Sequence, residues 1–287
     1  MTGNSLTSAM LRAELSARGR ELARSHKLLH ELSPGANPVV IFGRDEQGRH
    51  GNFHPDSYAY ICADPAWARR LAKVHTASRR VRARADWHWM ELDSANSSDA
   101  LLMNIFCHPG VYGEGRLSSP VANLLNVDSA SQPCFGIHPG VPLRSGKSGR
   151  TDLVDRTEID LQLGNLYIEA KLTETSFQNA RPRLIERYRD LETVFDVTRL
   201  PWTADGIVQG YQLIRNVLAA FAGDASFCVL SDARRRDLIE VWYSILSAVH
   251  YPSFAWRLKL LTWQELAAVL PRDLQQFLDA KYGIIPD

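Results

Sequence analysis

Residues 156–174 carry the pattern that most restricts how this chain can fold, because apolar and polar side chains alternate along two short stretches. The apolar positions of this alternation are Ile159, Leu161, Leu163, Ile168, Ala170 and Leu172. A period of two is typical of a β-strand that buries one of its faces. Gly164-Asn165 lies between the stretches and favours a tight turn. The segment therefore predicts two paired strands, 156–163 and 166–172.

The polar faces of these two strands hold candidate catalytic residues. If the turn pairs the strands, Asp160 lies beside Glu169, Lys171 follows one step along, and Glu158 shares the face of Asp160. Two neighbouring carboxylates repel each other unless a cation binds between them, and oxygen ligands suit magnesium or manganese. A metal can activate water against a phosphate, while a lysine positions or helps to deprotonate that water, or stabilises developing charge. This combination predicts hydrolysis of phosphodiester bonds.

Two other interpretations of the same residues stay open at this stage. A surface hairpin often carries Asp, Glu and Lys on its wet face as cross-strand ion pairs. A protein can also keep a nuclease-like fold and bind nucleic acid without cutting it. Metal binding separates the surface hairpin from the other two interpretations, and turnover separates the enzyme from the non-catalytic binding protein.

Strand and helix patterns alternate over the second half of the chain, which predicts an α/β fold with a central mixed sheet flanked by helices and preceded by a helical region. The predicted helices are 6–32, 64–84, 100–106, 183–195, 207–221, 237–249 and 262–270. The further predicted strands are 39–42, 134–138, 227–231 and 256–261. Residues 109–150 are expected to be mostly loop. We expect an N-terminal helical and basic region over 1–89 and a second domain over 90–287, which can also form one continuous domain.

Five short motifs extend the pattern beyond the paired strands. They read Ser98-Asp-Ala-Leu-Leu-Met-Asn104-Ile-Phe106, Thr157-Glu-Ile-Asp160, Glu169-Ala-Lys-Leu-Thr-Glu174, Tyr211-Gln-Leu-Ile-Arg-Asn216 and Leu261-Thr-Trp-Gln-Glu-Leu266. Together they resemble the PD-(D/E)xK nuclease superfamily, and within it a group of bacterial restriction-endonuclease-like proteins. The resemblance spans most of residues 90–270, and its central motif is the most specific part.

This resemblance implies a restriction-endonuclease-like fold and cleavage of DNA. It implies that Asp160 and Glu169 bind the metal and that Lys171 is the catalytic lysine. Superfamily sites often add an acidic residue from the helix before the first strand, for which Glu91 is the candidate. Some relatives place a glutamine on a later helix, for which Gln212 is the candidate. An ordinary surface carboxylate and an ordinary helix residue are the respective alternatives. No proline precedes Asp160, a departure that is common in this superfamily.

A basic segment over 64–86 is a second candidate site, because it has no acidic residue between its ends. Its nucleic-acid-binding candidates are Arg79, Arg80, Arg82 and Arg84. Such a run can follow phosphates along a backbone. The tryptophans near it, which can stack on bases, are Trp67, Trp87 and Trp89. The segment predicts contact with DNA, and the alternative is a solvated charged face with tryptophans in the core.

Spacing and charge argue against several other kinds of site. The net charge of +1 provides no overall basic footprint. His108 follows Cys107 and His138 lies near Cys134, but the close ligand pairs typical of zinc are missing. The chain has no GxSxG elbow, and Gly146-Lys147-Ser148 lacks the upstream glycine of a P-loop. No zinc site, serine hydrolase or nucleotide hydrolase is therefore predicted.

The expected setting is a soluble protein of the cytoplasm. No apolar run approaches the roughly 20 residues that a membrane helix needs, the N-terminal residues lack a secretory signal pattern, and no CxxC pair is present. We expect a metal-dependent endonuclease with magnesium or manganese as cofactor and DNA as partner. A homodimer would suit two coordinated cuts in a duplex, although no residue of the sequence requires one.

Overall fold

The computed structural model describes residues 5–74, 89–144 and 153–286, and the chain divides into two compact units. The sheet unit comprises Met1–Ser5 and Cys134–Thr262, and the helical unit comprises Leu6–Pro133 and Trp263–Asp287. The domain boundary expected at residue 90 is not tested by this division and stays a prediction.

Short strands and helices alternate along the described residues. The strands are β1 (His30–Leu32), β2 (Val40–Phe42), β3 (Tyr112–Gly113), β4 (Arg116–Leu117), β5 (Pro133–Ile137), β6 (Gly140–Pro142), β7 (Val154–Arg156), β8 (Ile159–Leu163), β9 (Leu166–Ala170), β10 (Asn179–Ala180), β11 (Val208–Gln209), β12 (Ser226–Ser231) and β13 (Leu258–Thr262). The α-helices are α1 (Ser8–Ser25), α2 (Pro55–Ala63), α3 (Pro65–Leu71), α4 (Ser98–Phe106), α5 (Ser119–Leu125), α6 (Pro182–Ile185), α7 (Leu191–Val194), α8 (Tyr211–Ala222), α9 (Arg236–Ala248), α10 (Pro252–Ala255), α11 (Trp263–Ala267) and α12 (Arg272–Tyr282). Glu91–Asp93 and Val197–Arg199 form 3-10 helices.

Five strands form a mixed sheet in the order β13-β12-β9-β8-β5. β8 and β9 are antiparallel, with Leu161 opposite Ile168 and Leu163 opposite Leu166. β12 runs parallel to both β9 and β13. Helices α8 and α9 contact this sheet. The architecture confirms the predicted α/β fold with a mixed sheet flanked by helices, which is consistent with a restriction-endonuclease-like fold.

The turn between β8 and β9 has the expected local cause. Gly164 has φ of 55°, a left-handed conformation that glycine adopts at little cost, and it lets the chain reverse within two residues. β8 alternates buried and half-buried side chains, as its sequence predicts. β9 is buried at every position, and its polar face is covered by helix α8, whose Gln212 and Asn216 donate to Glu169. Alternation alone does not show that this face is covered.

Helix α8 covers the sheet with an apolar face that includes Leu213, Val217 and Leu218. The predicted helix 207–221 is corrected at its start, because Val208 pairs with Ala180 in a short two-stranded sheet. Gly210 then has φ of 73° and ends the extended backbone, so that the helix begins at Tyr211.

Further predicted elements also differ from the structure. The predicted helix 64–84 ends at Leu71, and Val74 instead pairs with Met90 in an isolated bridge. The predicted helix 6–32 ends at Ser25, since Lys27 is left-handed and His30–Leu32 pairs with Val40–Phe42. The predicted helix 183–195 is broken into α6 and α7, and the Tyr188 hydroxyl between them donates to Asp155 Oδ2 at 2.5 Å. The stretch 109–150 was expected to be mostly loop, but it contains the β3–β4 hairpin and helix α5.

The helical unit contains helix α4, whose polar positions explain its motif. Ser97 caps the helix by accepting a hydrogen bond from the Ala100 amide at 3.1 Å, as the sequence indicates. Asn104 is fully buried, and its Oδ1 accepts from the His54 amide at 2.6 Å while its Nδ2 donates to the Asn52 carbonyl at 2.9 Å. The asparagine thus links α4 to the residues just before α2.

Within the described residues, no helix has both the length and the apolar character that crossing a membrane requires.

Candidate active site

The paired strands bring Asp160 and Glu169 to one face of the sheet. Leu161 lies opposite Ile168, and the neighbouring residues Asp160 and Glu169 point to the other face because side chains alternate along a strand. Asp160 is half-buried, and its Oδ2 accepts a hydrogen bond from the Ala170 amide at 2.8 Å. This bond holds the Asp160 carboxylate against the neighbouring strand β9.

Glu169 is completely buried and accepts three short hydrogen bonds. Its Oε1 accepts from Lys171 Nζ and from Gln212 Nε2, each at 2.6 Å. Its Oε2 accepts from Asn216 Nδ2, also at 2.6 Å. A buried carboxylate is costly unless its oxygens are paired, and these donors provide that pairing. The acidic residues of a surface hairpin would be exposed to solvent, so the burial of Glu169 argues against the surface-hairpin interpretation.

Helix α8 supplies two of these donors to Glu169. Gln212 and Asn216 are four residues apart and therefore lie on one side of the helix, one turn from each other. The Asn216 amide is itself oriented, because its Oδ1 accepts from Thr157 Oγ1 at 2.8 Å. Thr157 and Asn216 are both fully buried. Neither Thr157 nor Asn216 is a predicted site residue, although both belong to the quoted motifs and Asn216 has helical spacing from Gln212.

Lys171 is nearly buried, at 6% exposure, and faces three carboxylates. Burial acts to lower the pKa of Lys171, but the charges of Glu169, Glu174 and Asp160 and the hydrogen bond to Glu169 outweigh it. The pKa of Lys171 therefore lies above its usual value, and the side chain is an ammonium at neutral pH. In this state Lys171 donates hydrogen bonds and supplies positive charge.

The chain after β9 is held in place by a buried arginine. Arg235 is fully buried and donates to the Leu172 carbonyl at 3.2 Å and to the Glu174 carbonyl at 2.8 Å. The Glu174 side chain turns back, so that its Oε2 accepts from the Leu172 amide at 2.7 Å. These bonds fix the segment that begins at Lys171.

The remaining predicted residues have other surroundings or fall outside the described part of the chain. Glu91 lies in the helical unit, with its Oε1 3.4 Å from Lys73 Nζ, and its assignment to the site stays a prediction. Glu158 is half-buried beside Thr157. The predicted DNA-binding residues Arg79, Arg80, Arg82 and Arg84, together with Trp87, lie outside the described residues.

The described start of the predicted basic segment has structural contacts. Arg70 Nη2 and Lys73 Nζ contact Asp99 Oδ2 at 2.7 and 2.8 Å, respectively. Trp67 is buried and donates through Nε1 to the Pro133 carbonyl at 3.2 Å. These three residues belong to the packing of the helical unit, which corrects the suggestion that Trp67 stacks on bases.

The donor set at the sheet fits a hard divalent cation. Asp160 and Glu169 offer carboxylate oxygens, which magnesium and manganese prefer over nitrogen or sulfur. The ammonium and the two amides that surround Glu169 stabilise its negative charge, a role that a cation could share. Both Glu169 oxygens accept hydrogen bonds, and each carboxylate oxygen has two lone pairs, so a cation bound to Glu169 would either share an oxygen with these donors or replace one of them.

In a comparison with known protein families, one family model matches a stretch of the chain that includes every residue of the site. The family model described as "Restriction Endonuclease associating with ARP" matches residues 17–283. No curated protein and no solved structure matches the chain.

Proposed function

The chain belongs to the family described as restriction endonucleases associating with ARP, and we propose that it is a metal-dependent endonuclease of the PD-(D/E)xK type that hydrolyses DNA phosphodiester bonds. The observation that carries this proposal is the cluster on β8 and β9. There, a lysine lies 2.6 Å from a buried glutamate, and Asp160 on the paired strand accepts a hydrogen bond from the amide of the residue after that glutamate. A family match over 17–283 supports nuclease chemistry in general, and the cluster supports this particular form of it.

Each residue of the cluster has a role in this proposal. Asp160 and Glu169 hold magnesium or manganese, which supplies charge neutralisation and a more acidic water when bound. Lys171, as an ammonium, orients the attacking water or stabilises the negative charge that develops on the phosphate. Gln212 positions Glu169 from helix α8. Cutting both strands of a duplex together would need two such sites, so we propose a homodimer for that case.

A second candidate function is nucleic-acid binding without cleavage. It is favoured by one observation, namely that Glu169 is fully buried with both oxygens already hydrogen-bonded. In this case the Lys171–Glu169 pair is only a structural ion pair. The protein then binds DNA with the same fold and shows no turnover.

Nicking of supercoiled plasmid in the presence of magnesium tests the proposal. We expect wild type to cut, and both Asp160→Asn and Lys171→Met to lose activity by about 100-fold or more, as for other groups that stabilise transition-state charge. Asp205→Asn and Lys27→Met remove matched charges from exposed positions and should cut like wild type.

Thermal melts of the same proteins separate catalysis from folding. Methionine keeps most of the buried volume of Lys171 but leaves the Glu169 charge without its ion-pair partner, which costs roughly 3–5 kcal/mol of stability for a buried pair. A folded Lys171→Met protein that cuts as fast as wild type would eliminate the proposed mechanism. A wild type that binds DNA but does not cut under magnesium or manganese would establish the second candidate instead.

A further inference from the structure

Four side chains that are able to bind a metal ion meet in the helical unit. The set comprises His54, Asp56, His108 and Asp273, whose ligand atoms all lie within 4.8 Å of one another. They come from the start of α2, the turn after α4 and the start of α12. Two imidazoles with two carboxylates are a donor set that binds zinc and related divalent transition metals.

Local backbone structure places each of these side chains. His54 is the N-cap of α2, and Asp56 lies in the first turn of that helix. Asp273 lies in the first turn of α12, where its Oδ1 accepts from the Leu274 amide at 2.9 Å. The start of a helix favours negative charge, which suits a carboxylate ligand at both positions.

His108 is the buried member of the cluster and points toward it. The residue is 3% exposed, and within the described residues its Nε2 forms no hydrogen bond. This Nε2 lies 3.4 Å from Asp273 Oδ2. Ligand atoms bonded to one tetrahedral zinc at about 2.1 Å are about 3.4 Å apart. The distance between His108 Nε2 and Asp273 Oδ2 therefore already has the value that a tetrahedral zinc requires. The other ligand atoms are at most 4.8 Å apart, so no pair would need to approach by more than roughly 1.4 Å on binding.

The charges of the cluster suit a divalent cation. Burial and the neighbouring His54 lower the pKa of His108, although Asp273 and Asp56 act in the opposite direction. Metals bind the neutral form of an imidazole, and Asp56 and Asp273 add carboxylate oxygens, which suit a divalent ion.

We propose that His54, Asp56, His108 and Asp273 form a zinc-type metal site that links the starts of α2 and α12 with the end of α4. The proposal does not depend on nuclease activity. A metal at Nε2 requires the ring proton on Nδ1. In the structure, His108 Nδ1 accepts from the Gly110 amide at 3.1 Å and His54 Nδ1 accepts from the Asp56 amide at 3.3 Å. Metal binding at Nε2 would move the ring proton to Nδ1. Each ring would then lose the long hydrogen bond that its Nδ1 accepts and gain a metal–nitrogen bond at Nε2.

Calorimetric titration of the full chain with zinc tests this site. We expect one zinc ion per chain, bound at least about 10–100-fold more weakly by Asp273→Ala and by His54→Ala, because even a group that only supports a ligand contributes that much. Asp279→Ala is the matched control, since Asp279 is exposed on the same helix and should not change the affinity. The Asp273 side chain is 55% exposed, so its truncation leaves no cavity that would unfold the protein.

Two further measurements keep the site distinct from the proposed active site. Asp160→Asn should bind zinc as wild type does, and a loss of zinc binding in this variant would place the ion at the sheet and overturn the proposal. Zinc should also shift the amide NMR signals of Gly110 and Asp56, because the hydrogen bonds of these amides are exchanged. Equal affinity of Asp273→Ala and Asp279→Ala, or no zinc bound by wild type, would overturn the site as well.

Discussion

At the scale of single residues, the candidate active site is organised around one buried carboxylate. Glu169 has no exposed surface, and its two oxygens accept hydrogen bonds from Lys171, Gln212 and Asn216. Hydrogen bonds to a charged group contribute more than neutral ones, which offsets the cost of burying the carboxylate. The buried Oδ1 of Asn216 also needs a hydrogen-bond donor, and the Thr157 hydroxyl is that donor. This chain of contacts suggests that Asn216 positions Glu169.

Replacing Asn216 by alanine tests the positioning role. The variant leaves Glu169 Oε2 without its donor, so we expect a loss of about 1–3 kcal/mol in the free energy of unfolding. If the proposed function is correct, cleavage should fall and should need more magnesium for half-maximal rate. Thr157→Val should show the same shift to a smaller degree, because it removes only the hydroxyl that orients Asn216.

The control for this pair is Asn123→Ala, an exposed asparagine in helix α5. Exposed substitutions of this kind usually change stability by less than about 0.5 kcal/mol. Denaturant unfolding gives the stability change, and plasmid nicking over a magnesium series gives the second readout. A destabilised Asn216→Ala protein with unchanged magnesium dependence would mean that Asn216 is purely structural.

At the scale of elements, helix α12 buries a lysine, Lys281, among apolar side chains, where its charged form is unfavourable. The buried face of the helix includes Leu274, Leu278 and Tyr282, and Lys281 is buried with them at 1% exposure. Within the described residues, Lys281 Nζ has no hydrogen-bond partner, although the Phe42 ring lies 4.5 Å away. Burial lowers the pKa of Lys281 from 10.5 to about 7, and the ring offsets only a part of that cost.

Lys281 should make stability depend on pH. Between about pH 7 and 10.5 the unfolded chain binds the proton of Lys281 while the folded chain does not. Stability should therefore rise with pH in this window, by up to about 1.4 kcal/mol per pH unit. Lys281→Met should be more stable than wild type at pH 7, and this difference should shrink as the pH rises.

Urea unfolding at several pH values between 7 and 10 measures this dependence. Lys27→Met, which changes an exposed lysine, serves as the control and should follow wild type. Parallel curves for wild type and Lys281→Met would show that Lys281 keeps its proton in the folded state.

At the scale of the whole molecule, positive and negative charges nearly cancel, so any DNA binding must depend on a local basic surface. The net charge is +1, so attraction to phosphates must come from clustered basic residues. Arg70 and Lys73, at the start of the basic segment, are engaged with Asp99. The arginines further along the segment are the ones that we propose to contact DNA.

Replacing Arg79, Arg80, Arg82 and Arg84 together by alanine tests this proposal. Each lost phosphate contact should reduce the slope of log affinity against log salt by roughly 0.9, so four contacts would reduce it by about 3.6. Titrations of labelled duplex DNA at several salt concentrations measure the slope. An unchanged slope would identify the segment as a solvated surface. Arg24→Ala, which changes an exposed arginine on α1, is a single-site control.

The sequence by itself determined the local features of this protein. Alternation predicted β8 and β9, and Gly164-Asn165 predicted their turn, both as observed. These features depend on backbone geometry over a few residues, which neighbouring side chains encode directly. The face shared by Asp160 and Glu169 follows from the same period of two.

Only the tertiary structure decided which faces are covered and which distant residues meet. The polar face of β9 is buried because α8, more than 40 residues later, packs Gln212 and Asn216 against Glu169. The His54–Asp273 cluster joins residues from three separate elements, so no spacing in the sequence indicates it. Long-range contacts depend on the packing of the whole chain, since local periodicity specifies a face of an element but not its partner.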